Sequence, residues 1–115
     1  MADQDTIISD HQTIEDGVVV KVEGEIDLIR SPQLRKELIE LLNADLDRMV
    51  IDLSHVTFMD SSGVATLVEA LQIQRRNNKK LILCGLQQKV KSIFEISRLD
   101  MVFIITEDTA SAAQA

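Results

Sequence analysis

Apolar residues along this chain fall into short alternating runs, separated by segments that repeat with the period of a helix. Thr6-Ile7-Ile8 through Ile14 is a weak strand candidate, and Val18-Val19-Val20-Lys21-Val22 a strong one. Glu15-Asp16-Gly17 stands between them, and Asp-Gly between two β-prone runs predicts an antiparallel hairpin. The second strand runs out over Glu23-Gly24-Glu25-Ile26-Asp27. Ser31-Pro32 then opens a helix, with Ser31 as cap and Pro32 at the first helical position, where a missing N–H costs nothing. Leu34, Leu38, Leu41 and Leu42 form its buried stripe, and it fades between Asn43 and Asp47.

Met49 to Leu53 reads as a short buried strand, followed by a loop and a helix from about Ser62 to Asn77. That helix turns Val64, Leu67, Val68 and Leu71 inward and shows Glu69, Gln72, Arg75 and Arg76 to water. Lys80 to Gly85 is the next strand, and Gln87 to about Ser97 a third helix with Val90, Ile93 and Phe94 inward. Val102 to Ile105 is a last strand, and Glu107 to Ala113 a short terminal helix whose Ala-rich end is expected to fray. A hairpin followed by alternating helix and strand defines an α/β fold: a mixed sheet, antiparallel at its start and then joined by right-handed parallel crossovers. About four helices cover at least one face.

Composition narrows the possibilities. With 115 residues, 45% hydrophobic and 27% charged, the chain is expected to form one domain with its own core. No apolar run approaches the ~20 residues of a membrane span, and the acidic opening Met1-Ala2-Asp3-Gln4-Asp5 lacks the basic start of a secretory signal. The single cysteine, Cys84, lies in an apolar strand, excludes an internal disulfide and fits a reducing cytoplasm. A net charge of -7, and the lack of any Trp or Tyr to stack bases, argue against a nucleic-acid surface. The basic run from Arg75 to Lys80 falls at a helix end, where it complements the dipole. His11 and His55 have no Cys or His neighbour at metal-ligand spacing, and the common nucleotide-binding and nucleophile motifs are missing.

The chemistry-bearing stretch is Phe58-Met59-Asp60-Ser61-Ser62-Gly63-Val64-Ala65-Thr66-Leu67, at a strand-to-helix junction. Asp60, Ser61 and Ser62 are all good capping residues. The free N–H groups of the first helical turn favour negative charge, so a serine here can cap the helix or carry a phosphate held by those groups.

With Gly24-Glu25-Ile26-Asp27 ahead of the first helix, and Val50-Ile51-Asp52-Leu53 leading to Phe58-Met59-Asp60-Ser61-Ser62-Gly63, the chain resembles the STAS domain family. Within it, the resemblance is specifically to single-domain bacterial anti-sigma factor antagonists. Val90 to Ser97 resembles the family's third helix, and the similarity spans roughly residues 6 to 108 of a single domain 1–115. The resemblance implies a partner switch rather than an enzyme. The unphosphorylated protein binds an anti-sigma factor that is also a serine kinase, phosphorylation of Ser61 breaks the complex, and a serine phosphatase restores it. Asp27, Asp60, Ser62 and Gly63 match the loop around that serine and the partner surface. The kinase brings ATP and Mg²⁺, so no cofactor of the chain's own is expected. The implied protein is cytoplasmic, a monomer or weak dimer, and neither binds nucleic acid nor inserts in a membrane.

Two departures stand out. Gly63-Val64-Ala65 replaces the family's frequent Gly-Leu-Gly, and Arg98 precedes Leu99 where a Gly is common, so Arg98 is expected to take a left-handed conformation or the cap to differ. Other functions remain open: a STAS subunit of a lipid-transport ATPase complex, a switch whose partner is not tied to a sigma factor, or a phosphoacceptor using Asp60 itself. The last needs further carboxylates for Mg²⁺ and a lysine after the final strand, and neither is evident.

Overall fold

The hairpin forms where Asp16-Gly17 places it: β1 (Ile8–Ile14) pairs antiparallel with β2 (Gly17–Ile26), with Ile14 opposite Gly17 and His11 opposite Val20. This is a computed structural model, and it describes residues 7–115. The acidic residues 1–5, and Thr6 of the expected first strand, lie outside them. The chain continues through α1 (Ser31–Leu42), β3 (Arg48–Met59), α2 (Ser61–Arg76), β4 (Lys80–Cys84) and α3 (Gln88–Ile96). A 3-10 turn (Leu99–Met101), β5 (Ile104–Thr106) and α4 (Thr109–Ala112) complete it. The five strands lie in sequence order, and each pairing after the first is parallel.

That order decides where the helices go. Right-handed crossovers that keep adding strands in one direction put every crossover helix on the same face. The strands obey by alternation: Val18, Val20 and Val22, then Met49, Ile51 and Leu53, then Leu81 and Leu83 share one large core with Leu34, Leu38, Leu67, Leu71, Val90 and Phe94. The intervening Val50, Ile82 and Cys84 face the other way and meet Ala112 of α4. Helices therefore occupy both faces. Phe94 and Phe103 lock α3 to the chain ahead of β5, edge to face with centroids 5.4 Å apart.

Several boundaries differ from expectation. β3 does not stop at Leu53 but runs to Met59, because its second half pairs with Glu23 to Ile26 of β2. Ser31 is the first helical residue of α1, not its cap; Arg30 holds that position without a side-chain bond, and Ser31 is buried. In α2, Val64 and Val68 are only half buried, and Gly63, Thr66, Ala70 and Gln74 complete the inward face. Gln74 is satisfied there because its Nε2 donates to Lys80 O at 2.8 Å. Arg98 takes the left-handed conformation (φ 60°), the 3-10 turn then uses Leu99–Met101, and the last strand shifts to Ile104–Thr106. The Ala-rich end is docked rather than frayed: Ala112 is fully buried, and the Arg48 guanidinium donates to main-chain oxygens of Ala112 and Ala115.

A serine loop at the carboxyl ends of β2 and β3

The end of β3 delivers Asp60, and the helix that follows determines what Asp60 must do. The first turn of α2 leaves N–H groups without partners inside the helix. The Asp60 carboxylate takes them, with Oδ1 accepting from Ser62 N at 2.9 Å and from Gly63 N at 3.3 Å. Asp60 Oδ1 also accepts the Ser62 hydroxyl, and Oδ2 accepts Leu28 N at 3.0 Å. The Ser62 hydroxyl first, and then the N–H groups of Gly63, Ser62 and Leu28, hold the Asp60 carboxyl below its ordinary range against the opposing effect of desolvation.

This arrangement separates the two serines. Ser62 is half buried and its hydroxyl is committed to Asp60. Ser61 is exposed, and its hydroxyl has no hydrogen-bond partner among the described residues. With Asp60 as the cap, Ser61 is not needed for that role. The same geometry changes the expectation for a phosphate. The N–H groups of Ser62 and Gly63 are already occupied by Asp60, so they are not free to cradle an anion on Ser61.

Asp27 does for the β2–α1 loop what Asp60 does for the next one. Its Oδ1 accepts Ile29 N at 3.1 Å and Arg30 N at 2.9 Å, and its carbonyl accepts Ser31 N at 2.8 Å. The Leu28 N–H to Asp60 bond then ties the two loops together. Gly63 sits where the head of α2 presses on the sheet. A Cβ there would lie 2.7 Å from Met59 Cγ, 2.8 Å from Ile26 Cγ2 and 3.0 Å from Ile26 O. All five residues singled out from the sequence, Asp27, Asp60, Ser61, Ser62 and Gly63, thus lie together at the carboxyl ends of β2 and β3.

Sequence reasoning missed the apolar rim. Leu28 and Ile29 are 73% and 85% exposed and Phe58 is 47% exposed, all close to the loop in chain or register. Two consecutive large apolar residues between a strand-ending Asp and a helix start were the available signal. Arg30 was missed too: its guanidinium donates to Glu25 O at 2.9 Å, above Gly24. Among the described residues, no group of three or more His, Cys, Asp or Glu is placed to hold a metal ion. No helix among them is long and apolar enough to cross a membrane.

Fold and loop together define a class: a small mixed-sheet domain with an exposed serine at a strand-to-helix junction, its hydroxyl unpartnered among the described residues, and exposed apolar side chains on the neighbouring segments. The chain belongs to the STAS domain family, whose model matches residues 9–112. It is 30% identical over 90 residues to the anti-sigma-B factor antagonist of Staphylococcus aureus, covering 78% of this chain and 83% of that one. With the protein of the same name from Staphylococcus epidermidis it shares 29% identity over 97 residues, 84% and 90% of the two chains. Solved structures show the same fold. An anti-sigma factor antagonist from Mycobacterium paratuberculosis superposes with a TM-score of 0.86 at 23% identity, over 96% and 93% of the two chains. The anti-sigma factor antagonist SpoIIAA in its unphosphorylated form gives 0.77 at 20% identity, over 90% and 91%. The Bacillus SpoIIAA in its phosphorylated form gives 0.71 at 19% identity, over 91% and 96%.

Proposed function

We propose that this chain is an anti-sigma factor antagonist that works by partner switching, with Ser61 as the switch. Unmodified, it binds an anti-sigma factor that is also a serine kinase through the loop of Asp27, Asp60, Ser61 and Ser62 and the exposed Leu28 and Ile29. Phosphorylation releases that partner, a serine phosphatase resets the cycle, and the chain itself catalyses nothing. The setting is the cytoplasm, where the partner finds ATP and Mg²⁺. The observation that carries the proposal is the division of labour between Asp60 and Ser61: the carboxylate satisfies the helix, which leaves the exposed hydroxyl free for a kinase. The names of the curated relatives support the same role.

In the transfer, Ser61 Oγ attacks the γ-phosphorus of ATP. The new Oγ–P bond forms as the bridging P–O bond breaks, ADP leaves, and the hydroxyl proton passes to a base of the kinase. The phosphate adds about -1.5 to -2 charges at pH 7. Because Asp60 already occupies the nearest helix N–H groups, and Asp27 and Asp60 add like charge, the cost falls on the partner interface. An uncompensated charge buried in an interface costs about 3–5 kcal/mol.

Incubation with the cognate kinase, ATP and Mg²⁺ should therefore add one phosphate, located on Ser61 by peptide mass spectrometry. Ser61→Asp should bind the anti-sigma partner at least about a hundredfold more weakly, and Ser61→Ala about as tightly as the parent. Modification of Ser62 or Thr66 alone, or tight binding by the enzymatically phosphorylated chain, would overturn the proposal.

A further inference from the structure

At the far end of α2 from Ser61 the chain carries the cations Arg75, Arg76, Lys79 and Lys80. A cleft of about 200 Å³ opens between the last turn of α2, the start of β4 and the segment ahead of β5. Its charged lining residues are Arg75, Lys79 and Lys80, and Leu81, Val102 and Ile104 contribute apolar wall. In a chain with 19 acidic and 12 basic residues, a cleft with three cations and no carboxylate is a local exception. Lys79 is already committed, its Nζ lying 2.6 Å from Asp47 and 3.6 Å from Asp45. Arg75 and Lys80 have no side-chain carboxylate partner among the described residues. Arg75 donates to Val102 O at 2.9 Å, and Lys80 Nζ to Ala115 O at 3.3 Å. Val102 and Ile104 are 40% and 44% exposed, and Met101 beside them is 80% exposed.

We propose that this cleft is a second docking surface, which takes an acidic protein segment with carboxylates on Arg75 and Lys80 and an apolar side chain against Val102 and Ile104. Charge complementarity selects that occupant. An anionic bilayer would present its charge to the whole acidic molecule, whose net charge is -7, whereas a single segment meets only the local cations. The concave apolar wall also fits one side chain rather than a flat surface. α2 has 16 residues, so at 1.5 Å per residue the cleft lies about 24 Å from Ser61. Docking there is independent of the phosphorylation state, and it keeps a partner tethered while the serine end is released.

The test is an NMR titration of the ¹⁵N-labelled full chain with a short synthetic peptide of glutamates around a central leucine pair. The control is the same peptide with lysine for glutamate. The acidic peptide should shift the amides of Arg75, Lys80, Val102 and Ile104 saturably, and equally in Ser61→Asp. Arg75→Gln and Lys80→Gln should each weaken it by about threefold, as should a rise in salt from about 50 to 300 mM. Because Arg75 holds the Val102 carbonyl at 2.9 Å while exposed Lys80 makes the longer, 3.3 Å bond to Ala115 O, Lys80→Gln is the deciding variant, and a melting temperature within about 2 °C of the parent's shows that the chain end stays docked. The proposal is overturned by no shift, by shifts centred on Leu28 and Ser61, or by equal response to the lysine peptide. Binding to phosphatidylglycerol vesicles instead of peptide would overturn it as well. So would concentration-dependent shifts of these amides without peptide, the signature of self-association.

Discussion

Replacing Gly63 by Ala sets two effects of opposite sign against each other at the head of α2. Intrinsic propensity favours the change, since Ala in a helix is better than Gly by about 0.8–1.0 kcal/mol. Packing opposes it. Carbon atoms rest at about 3.5–4.0 Å, whereas the new Cβ would lie 2.7 Å from Met59 Cγ, 2.8 Å from Ile26 Cγ2 and 3.0 Å from Ile26 O. The Met59 side chain can rotate away, but the Ile26 carbonyl is sheet backbone, and Ile26 and Met59 are both fully buried. Overpacking of this kind costs about 1–3 kcal/mol. Because the Ile26 carbonyl cannot move aside, the cost should fall in the upper part of that range, about 2–3 kcal/mol, which leaves a net loss of about 1–2 kcal/mol, or a Tm lower by roughly 4–8 °C. Relief comes by lifting the helix start off the sheet, which carries Asp60 and Ser61 with it, so kinase labelling of Ser61 should slow as well. Urea unfolding followed by circular dichroism, with an unchanged m-value, measures the stability term. Ala65→Gly, at an exposed position of the same helix, is the control for propensity alone. A midpoint for Gly63→Ala equal to or above the parent's would refute the reasoning, since propensity would then outweigh the contact.

Leu67→Ala should cost about 2–5 kcal/mol, because Leu67 is fully buried in the main core; a loss below about 1 kcal/mol would mean that α2 packs by another face. The Asp60 carboxyl is held below its ordinary range in the folded chain, so its contribution is present above the unfolded value of about 3.9 and is lost as pH falls through the lower folded value. Amide shifts of Leu28, Ser62 and Gly63 should accordingly report one common titration below about pH 4, and independent transitions would break the link between the loops. Burial, and then Asp52 and Asp108, push the Cys84 thiol up to about 12. It should therefore resist a thiol reagent at about pH 8 in the native state and react on unfolding, and rapid native labelling would contradict its placement on the sheet. Since that folded value is raised, stability should decline as pH rises above the unfolded thiol's value of about 8.5.

Local signals carried most of this protein. Asp16-Gly17 between two β-prone runs specified the hairpin, apolar alternation marked β2, β3 and β4, and a 3.6-residue period marked α1, α2 and α3. The three polar residues at the head of α2 marked the candidate site, because capping is chemistry between near neighbours in the chain. What local pattern could not decide was anything that depends on a distant partner. Ser54 to Met59 has too little apolar alternation to read as strand, yet it becomes one because β2 offers it a ladder. Ser31 looks like a cap in sequence, but Asp27 reaches forward to the N–H groups of Ile29 and Arg30 and organises that turn instead. The last strand moved because left-handed Arg98 directs the chain into a 3-10 turn, and the Ala-rich end was held because the reverse face of the sheet needed Ala112 to cover it. The two serines divide along the same line. The family resemblance singled out Ser61, but local pattern makes both hydroxyls equivalent as caps. The different surroundings of the two hydroxyls, Ser62 bound by Asp60 and Ser61 left in water, exist only in the folded loop.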